Sequence, residues 1–165
     1  MSRMPTATKI LLHAIDDAYS NAAWHGRSLR LALRGVTAAQ ADWRPSPGRH
    51  NIRELTVHAA YWKRRVRERL GAAGGGGFPF AGSDWFELPP VSEKAWRAER
   101  DLLQSEHRAL REAVAKFPAD RLERPLPGFE RRTGLREIAG IALHDAYHTG
   151  QIQLVKTLRK KGGSS

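Results

Sequence analysis

The stretch Leu143-His144-Asp145-Ala146-Tyr147-His148-Thr149-Gly150-Gln151-Ile152 places two histidines four residues apart in a segment that reads as a helix. Side chains at positions i and i+4 lie on one helical face, about 5–6 Å apart at Cβ. Two imidazoles at that separation can bind one metal ion, and a catalytic zinc site usually has three protein ligands plus water. Because the residues after His148 include no His, Asp, Glu or Cys, we expect the third ligand to come from upstream.

Length and composition favour one globular domain. The chain has 165 residues, of which 41% are hydrophobic, and no cysteine, which excludes disulfides, thiolate ligands and a cysteine nucleophile. It contains neither a run of eighteen apolar residues nor the apolar segment of a signal peptide. We therefore predict a single domain over residues 1–165, with residues 1–5 and 162–165 flexible, a cytoplasmic location and no membrane partner.

The chain is strongly basic, with 28 Lys and Arg against 17 Asp and Glu and a formal net charge of +11. This balance favours anionic partners, among them acidic small molecules, nucleic acid and anionic surfaces. The alternative is a solvated basic surface, since the arginines are spread along the chain. No recognised nucleic-acid-binding motif is present, so nucleic acid is not the expected partner.

Apolar spacing predicts four main helices. The first runs from Thr6 to about Ser20, with Thr6 or Thr8 as its cap, and helix resumes from Leu29 to Gly35 after a break at Gly26. The other three begin at Asn51, at Ser92 and after Thr133. The pattern is typical of a helix bundle with long connections, so we predict an all-α four-helix bundle.

The second long helix has a clear start and a basic face. Asn51 and Glu54 form a variant of the capping box. Six cations lie beside the apolar stripe of this helix, and we expect them to form its solvated face. They are Arg53, Lys63, Arg64, Arg65, Arg67 and Arg69.

Two connections between the helices stand out. Neither they nor any other stretch alternates apolar and polar residues strongly enough to predict a strand. Residues 37–50 contain two prolines and are expected to be irregular. Residues 71–91 include four consecutive glycines followed by four aromatic side chains. Such a long loop is usually functional or disordered, so it is either a lid over a pocket or a packed connector.

Among the remaining histidines, His58 is the best third ligand. It lies on the second long helix, on or near the inward side, with Glu54 one turn earlier. His25 is beside Gly26 in a kinked segment and could line a pocket, whereas His107 is expected to be a core histidine. His13 and His50 have no motif around them. The alternative for the inward pair on the last helix is that both are core polar residues.

The last helix also carries a pattern close to a zinc-protease motif. His144-Asp145-x-x-His148 resembles His-Glu-x-x-His, in which the glutamate acts as a general base. Aspartate is one methylene shorter, and no downstream third ligand is available. The protease interpretation is therefore disfavoured.

The chain resembles the DinB-like (YfiT-like) metal-binding bundle proteins. The resemblance rests on four motifs in order, and it extends from about Ile10 to Leu158. The motifs are Trp24-His25-Gly26, Trp43-Arg44-Pro45, Glu54-Leu55-x-x-His58 and His144-Asp145-x-Tyr147-His148-x-Gly150-Gln151. The resemblance implies a four-helix bundle with a metal triad of His58, His144 and His148, binding Zn or Ni, and often a homodimer.

Three neutral imidazoles would leave the ion its full charge, so a bound water or thiol would be strongly acidified. Each ligand needs a hydrogen-bond partner for its other ring nitrogen. Candidates for that role or for the pocket are Glu54, His25, Trp62, Asp145, Tyr147 and Gln151.

The family resemblance implies a metal-dependent enzyme acting on small molecules. It could be a transferase that uses a bacterial low-molecular-weight thiol such as bacillithiol or mycothiol, or a metal-water hydrolase. The basic surface would suit an anionic thiol or substrate. The alternative is a non-catalytic, metal-stabilised bundle that binds a ligand or acts in a stress response.

Overall fold

The computed structural model describes residues 4–20, 23–72 and 76–162. The predicted flexible ends and the middle of the glycine-rich stretch lie largely outside these residues. Six helices are described: α1 (Thr6–Tyr19), α2 (Leu29–Leu33), α3 (Ala38–Asp42), α4 (Ile52–Arg69), α5 (Glu93–Lys116) and α6 (Gly134–Gly162). No helix in this part of the chain is long and apolar enough to cross a membrane.

The four long helices α1, α4, α5 and α6 form the bundle. α1 packs against α5 and α6, and α4 packs against the same two helices, so the four close a ring around the core. The core includes Trp96, Leu103 and Leu110 from α5 and Ile138 and Ile152 from α6, all of them almost completely buried. The predicted all-α bundle is therefore confirmed.

Helix starts follow the expected local chemistry at three of the four long helices. Asn51 accepts a hydrogen bond from the Glu54 backbone while the Glu54 carboxylate accepts one from the Asn51 N–H, which completes a capping box. Ser92 caps α5, and Thr133 accepts a hydrogen bond from an amide in the first turn of α6. The predicted cap of α1 is wrong: Pro5 occupies the N-cap without a side-chain bond, and Thr8 is buried.

Two predictions about the connections are also wrong. Residues 37–50 contain α3, which Thr37 and Gln40 start with another capping box; five residues are too few to show helical periodicity. Two short antiparallel ribbons are present as well, β1 (Gly82–Ser83) with β2 (Trp85–Phe86), and β3 (Pro125–Leu126) with β4 (Phe129–Thr133). Strands of two to five residues are too short to leave a recognisable alternation.

The largest correction concerns the basic face of α4. Arg53, Lys63, Arg64 and Arg67 are buried rather than solvated, with at most 7% of each residue exposed. α4 contacts two other long helices, so it buries more than its apolar stripe. The cations are matched by acidic residues on those helices, as when Arg53 donates to Glu99 at 3.0 Å.

The described part of the 71–91 connection packs onto α4. Phe78 and Phe86 contact Tyr61 of α4 edge to face, with ring centroids 5.3 and 5.0 Å from the tyrosine ring. Between the two strands of the ribbon, Asp84 adopts a positive φ of 68°. This tight turn brings Asp84 and Trp85 against the middle of α4, where His58 lies.

Candidate metal centre

Three histidines meet where α4 faces α6. His58 lies in the middle of α4, and His144 and His148 lie one turn apart on α6. The Nε2 atom of His144 is 3.1 Å from the Nε2 atoms of both His58 and His148. All three candidate ligand atoms lie within 4.8 Å of one another, and His58 and His148 are buried while His144 is half-buried.

Hydrogen bonds determine which ring nitrogens are free in two of these histidines. The Nδ1–H of His58 donates to the backbone carbonyl of Asp84 at 2.9 Å. The Nδ1–H of His148 donates to Oε1 of Gln151 at 2.6 Å. A neutral imidazole with a proton on Nδ1 has a lone pair on Nε2. Both residues therefore present an Nε2 lone pair to His144.

This arrangement fits a divalent transition metal. Two nitrogens held about 2.0–2.1 Å from one ion, at angles between octahedral and tetrahedral values, are roughly 2.8–3.4 Å apart. The two 3.1 Å separations fall in that range. Hydrogen bonding among the rings cannot satisfy both contacts, because Nε2 of His144 can donate at most one proton.

The protonation states also suit ligands. Burial, helped by the neighbouring imidazoles and by Lys63, lowers the pKa of His144 to about 3. Burial lowers the pKa of His148 to about 4, although the bond to Gln151 opposes the shift. The pKa of His58 is lowered as well, mainly by burial. All three rings are therefore neutral near pH 7, the form that binds metal.

Three of the predicted pocket residues lie beside the triad. Gln151 holds the His148 ring, and its Nε2 atom donates to the Tyr147 hydroxyl at 3.1 Å. The indole N–H of Trp62 donates to the Asp84 carboxylate at 2.7 Å, and its ring lies edge-on to His58 and His144. Trp62 thus supports the turn that holds His58.

The side chains of the other three predicted residues form no hydrogen bond with the triad. Glu54 bonds to Arg44 and His50 besides capping α4, so it does not orient His58. Asp145 is completely buried and pairs with Lys63. His25 is exposed and lies in the kinked segment after α1. Adjacency in sequence was misleading for Asp145, because it faces a different neighbour from His144.

Sequence reasoning missed three residues at the site. Asp84 binds His58 through its backbone carbonyl, and Trp85 stacks on His58 with ring centroids 4.2 Å apart. His50 stacks on Trp85, at 3.4 Å between centroids. Because every residue has a backbone carbonyl, the sequence does not show which one accepts the His58 proton. The aromatic content of the 71–91 connection was the one available signal for Trp85.

The triad lies between two cavities. The larger, about 730 Å³, is lined by His148, Gln151, Tyr147, His50 and Trp85 and by an apolar wall. That wall includes Leu55, Leu154, Val155 and Leu158. The smaller, about 260 Å³, lies on the His144 side and includes Trp62, Arg69, Arg132 and Arg136. Small molecules could therefore reach the histidines from two directions.

The fold and the site define a helical-bundle protein with a three-histidine candidate metal centre. The family model of the DinB superfamily matches residues 22–152, and the protein belongs to that superfamily. This confirms the resemblance seen in the sequence motifs. The comparisons with curated proteins and with solved structures found no match.

Proposed function

We propose that this protein is a metal-dependent enzyme that acts on small molecules, with His58, His144 and His148 as the ligands of one divalent transition metal. The observation that carries the proposal is the convergence of three Nε2 atoms, two of which carry lone pairs fixed by bonds at Nδ1. A divalent ion bound there would act as a Lewis acid and lower the pKa of an incoming water or thiol.

The residues around the triad support a catalytic rather than a purely structural site. Three protein ligands leave positions for a substrate, whereas structural zinc sites are usually closed by four. His144 is half-buried, and cavities open on both sides of the triad. The apolar wall beside His148 would hold a hydrophobic part of a substrate and exclude water.

Asp84 and Gln151 have defined positioning roles in this proposal. Each accepts the Nδ1 proton of one histidine and so keeps its ring in one tautomer and orientation. Arg136, which lines the smaller cavity, has no ion-pair partner among the described residues and would attract an anionic group. Use of a low-molecular-weight thiol and formation of a homodimer remain predictions from the family resemblance.

The test is elemental analysis of untagged protein purified without added metal. We expect about one equivalent of Zn, Ni or a similar divalent metal in the wild type, and loss of most of it in His58→Ala, His144→Ala and His148→Ala. His13→Ala is the matched control, because its side chain is 77% exposed and remote from the triad. Equal metal content in wild type and His148→Ala would refute the site.

Metal-loaded protein should then be tested with electrophiles and esters, with and without added thiol. Turnover that requires thiol would favour the transferase over the hydrolase, and turnover without thiol would favour the hydrolase. Loss of folding on chelation, with no turnover of either substrate class, would instead favour the metal-stabilised, non-catalytic bundle.

A further inference from the structure

A third cavity lies away from the histidine triad, between α2 and α5. It has a volume of about 490 Å³, and none of its lining residues lines either cavity beside the triad. Four arginines surround it: Arg30, Arg34, Arg97 and Arg100. We propose that this cavity is a binding site for a small anion with more than one negative charge, such as a phosphorylated or polycarboxylate metabolite.

Two elements bring the arginines to one concavity. Arg30 lies in α2 and Arg34 is the extended residue that ends it. Arg97 and Arg100 are three residues apart on α5, a spacing that places them on one helical face. Both pairs line the same cavity, so cations from two elements surround one space. Guanidinium groups bind phosphate and carboxylate oxygens through paired hydrogen bonds.

The positive charge of this site is only partly compensated within the described residues. None of the four arginines forms an ion pair there, and Asp101 is the single carboxylate in the lining. The buried arginines of α4 behave differently, since Arg53, Arg64 and Arg67 each pair with a glutamate. An anion in the cavity would supply the missing countercharge.

One of the four arginines packs on a buried aromatic ring. The Arg100 guanidinium lies 5.3 Å above the ring of Trp96, and its Nε atom is buried without a hydrogen-bond partner in the described part of the chain. Trp96 is fully buried, and its indole N–H donates to the Val36 carbonyl at 2.7 Å. This contact restricts the Arg100 side chain before any ligand arrives, which reduces the entropy lost on binding.

The shape favours a small molecule over nucleic acid. A volume of about 490 Å³ falls within the range of roughly 300–1,000 Å³ that is usual for small-molecule sites. Leu31, Leu33 and Leu103 contribute apolar walls between the charged groups. A nucleic-acid backbone would instead require cations spread along an extended surface.

The test is calorimetric titration of the full-length protein with two probes, inorganic pyrophosphate and citrate, at a fixed ionic strength of 0.15 M. We expect at least one probe to bind, and Arg34→Gln/Arg97→Gln to weaken its binding at least tenfold. Both side chains are exposed, and neither forms an ion pair or a side-chain hydrogen bond with the described residues. Tighter pyrophosphate binding would indicate a phosphorylated ligand, and tighter citrate binding a polycarboxylate.

Three controls make the result decisive. Arg121→Gln/Arg131→Gln removes the same charge from exposed positions elsewhere and should change affinity less than twofold. His148→Ala should bind the probes like the wild type, so the outcome does not depend on the metal centre. The inference is overturned by no binding at millimolar probe, by equal weakening in both double variants, or by loss of binding in His148→Ala. A short DNA duplex that outcompetes both probes through Arg34 and Arg97 would also overturn it.

Discussion

Two buried polar clusters lie side by side on α6 and behave in opposite ways. Asp145 pairs with the Lys63 ammonium, so its charge is balanced within the fold. His144 and His148, the residues on either side of it in the helical turn, meet His58 with their Nε2 atoms facing one another. The first cluster balances its charge without a ligand, although Oδ1 of Asp145 has no hydrogen-bond partner among the described residues. The second presents three nitrogen atoms that could hold a cation, and this difference separates a structural site from a candidate functional one.

Breaking the Lys63–Asp145 pair is expected to cause the largest loss of stability among the variants proposed. Both residues are fully buried; burial raises the pKa of the Asp145 carboxyl, and the Lys63 ammonium opposes that rise. Lys63→Met would leave Asp145 without its partner and should lower the free energy of unfolding by about 3–5 kcal/mol. Urea unfolding of metal-free protein would measure the loss.

Urea unfolding should show that the histidine triad contributes less to stability than the Lys63–Asp145 pair. Metal-free His148→Gln should lose no more than about 1 kcal/mol, the usual size of a single-residue effect. Lys63→Met/Asp145→Asn should recover part of the stability, because it removes both charges. If Lys63→Met is as stable as the wild type, the Lys63–Asp145 ion pair does not stabilise the fold.

Gln151 should affect metal affinity rather than stability. Its carbonyl accepts the Nδ1 proton of His148, and loss of such a partner typically weakens metal binding by about 10–100-fold. We expect that range for Gln151→Leu in competition with a chelator of known affinity. Gln153→Leu, two residues further along α6 and lining a different cavity, is the matched control. Equal affinities for the two variants would contradict the role of Gln151.

A buried histidine outside the triad gives the smallest expected effect. His107 stacks on Tyr19, and its Nδ1 atom has no partner among the described residues. Burial, helped by the nearby cations Lys63, Arg111 and Arg30, lowers the pKa of His107 to about 3. Below pH 6.5 His107 therefore binds a proton in the unfolded chain but stays neutral in the folded protein. The free energy of unfolding consequently falls as the pH decreases towards 3.

The wild type should lose about 1 kcal/mol more stability than His107→Gln between pH 7 and pH 5.5, since one pKa unit corresponds to about 1.4 kcal/mol. Urea unfolding at the two pH values would measure this difference, and the carboxylates and remaining histidines contribute equally to both proteins. Parallel losses in wild type and variant would show that His107 takes up a proton in the folded state.

Much of the architecture could be predicted because it depends on local patterns. Apolar residues at helical spacing indicated the four long helices, and Asn51, Ser92 and Thr133 marked three of their starts. The short helix α3 and the two ribbons were missed, since segments of two to five residues carry too little periodicity. The spacing of His144 and His148 indicated their shared face, and the structure brings His58 to them.

The sequence by itself determined the four long helices and the shared face of His144 and His148, because helical spacing and capping act over a few residues, and its motifs indicated the family. Tertiary structure alone decided the rest. Whether Arg53 and Lys63 are solvated or buried depends on Glu99 and Asp145, which lie 46 and 82 residues further along the chain. His58 is held at Asp84, whose backbone carbonyl and carboxylate lie 2.9 and 3.2 Å from its Nδ1 atom. Long-range pairing and backbone groups have no local sequence signature, so only the packed fold shows them.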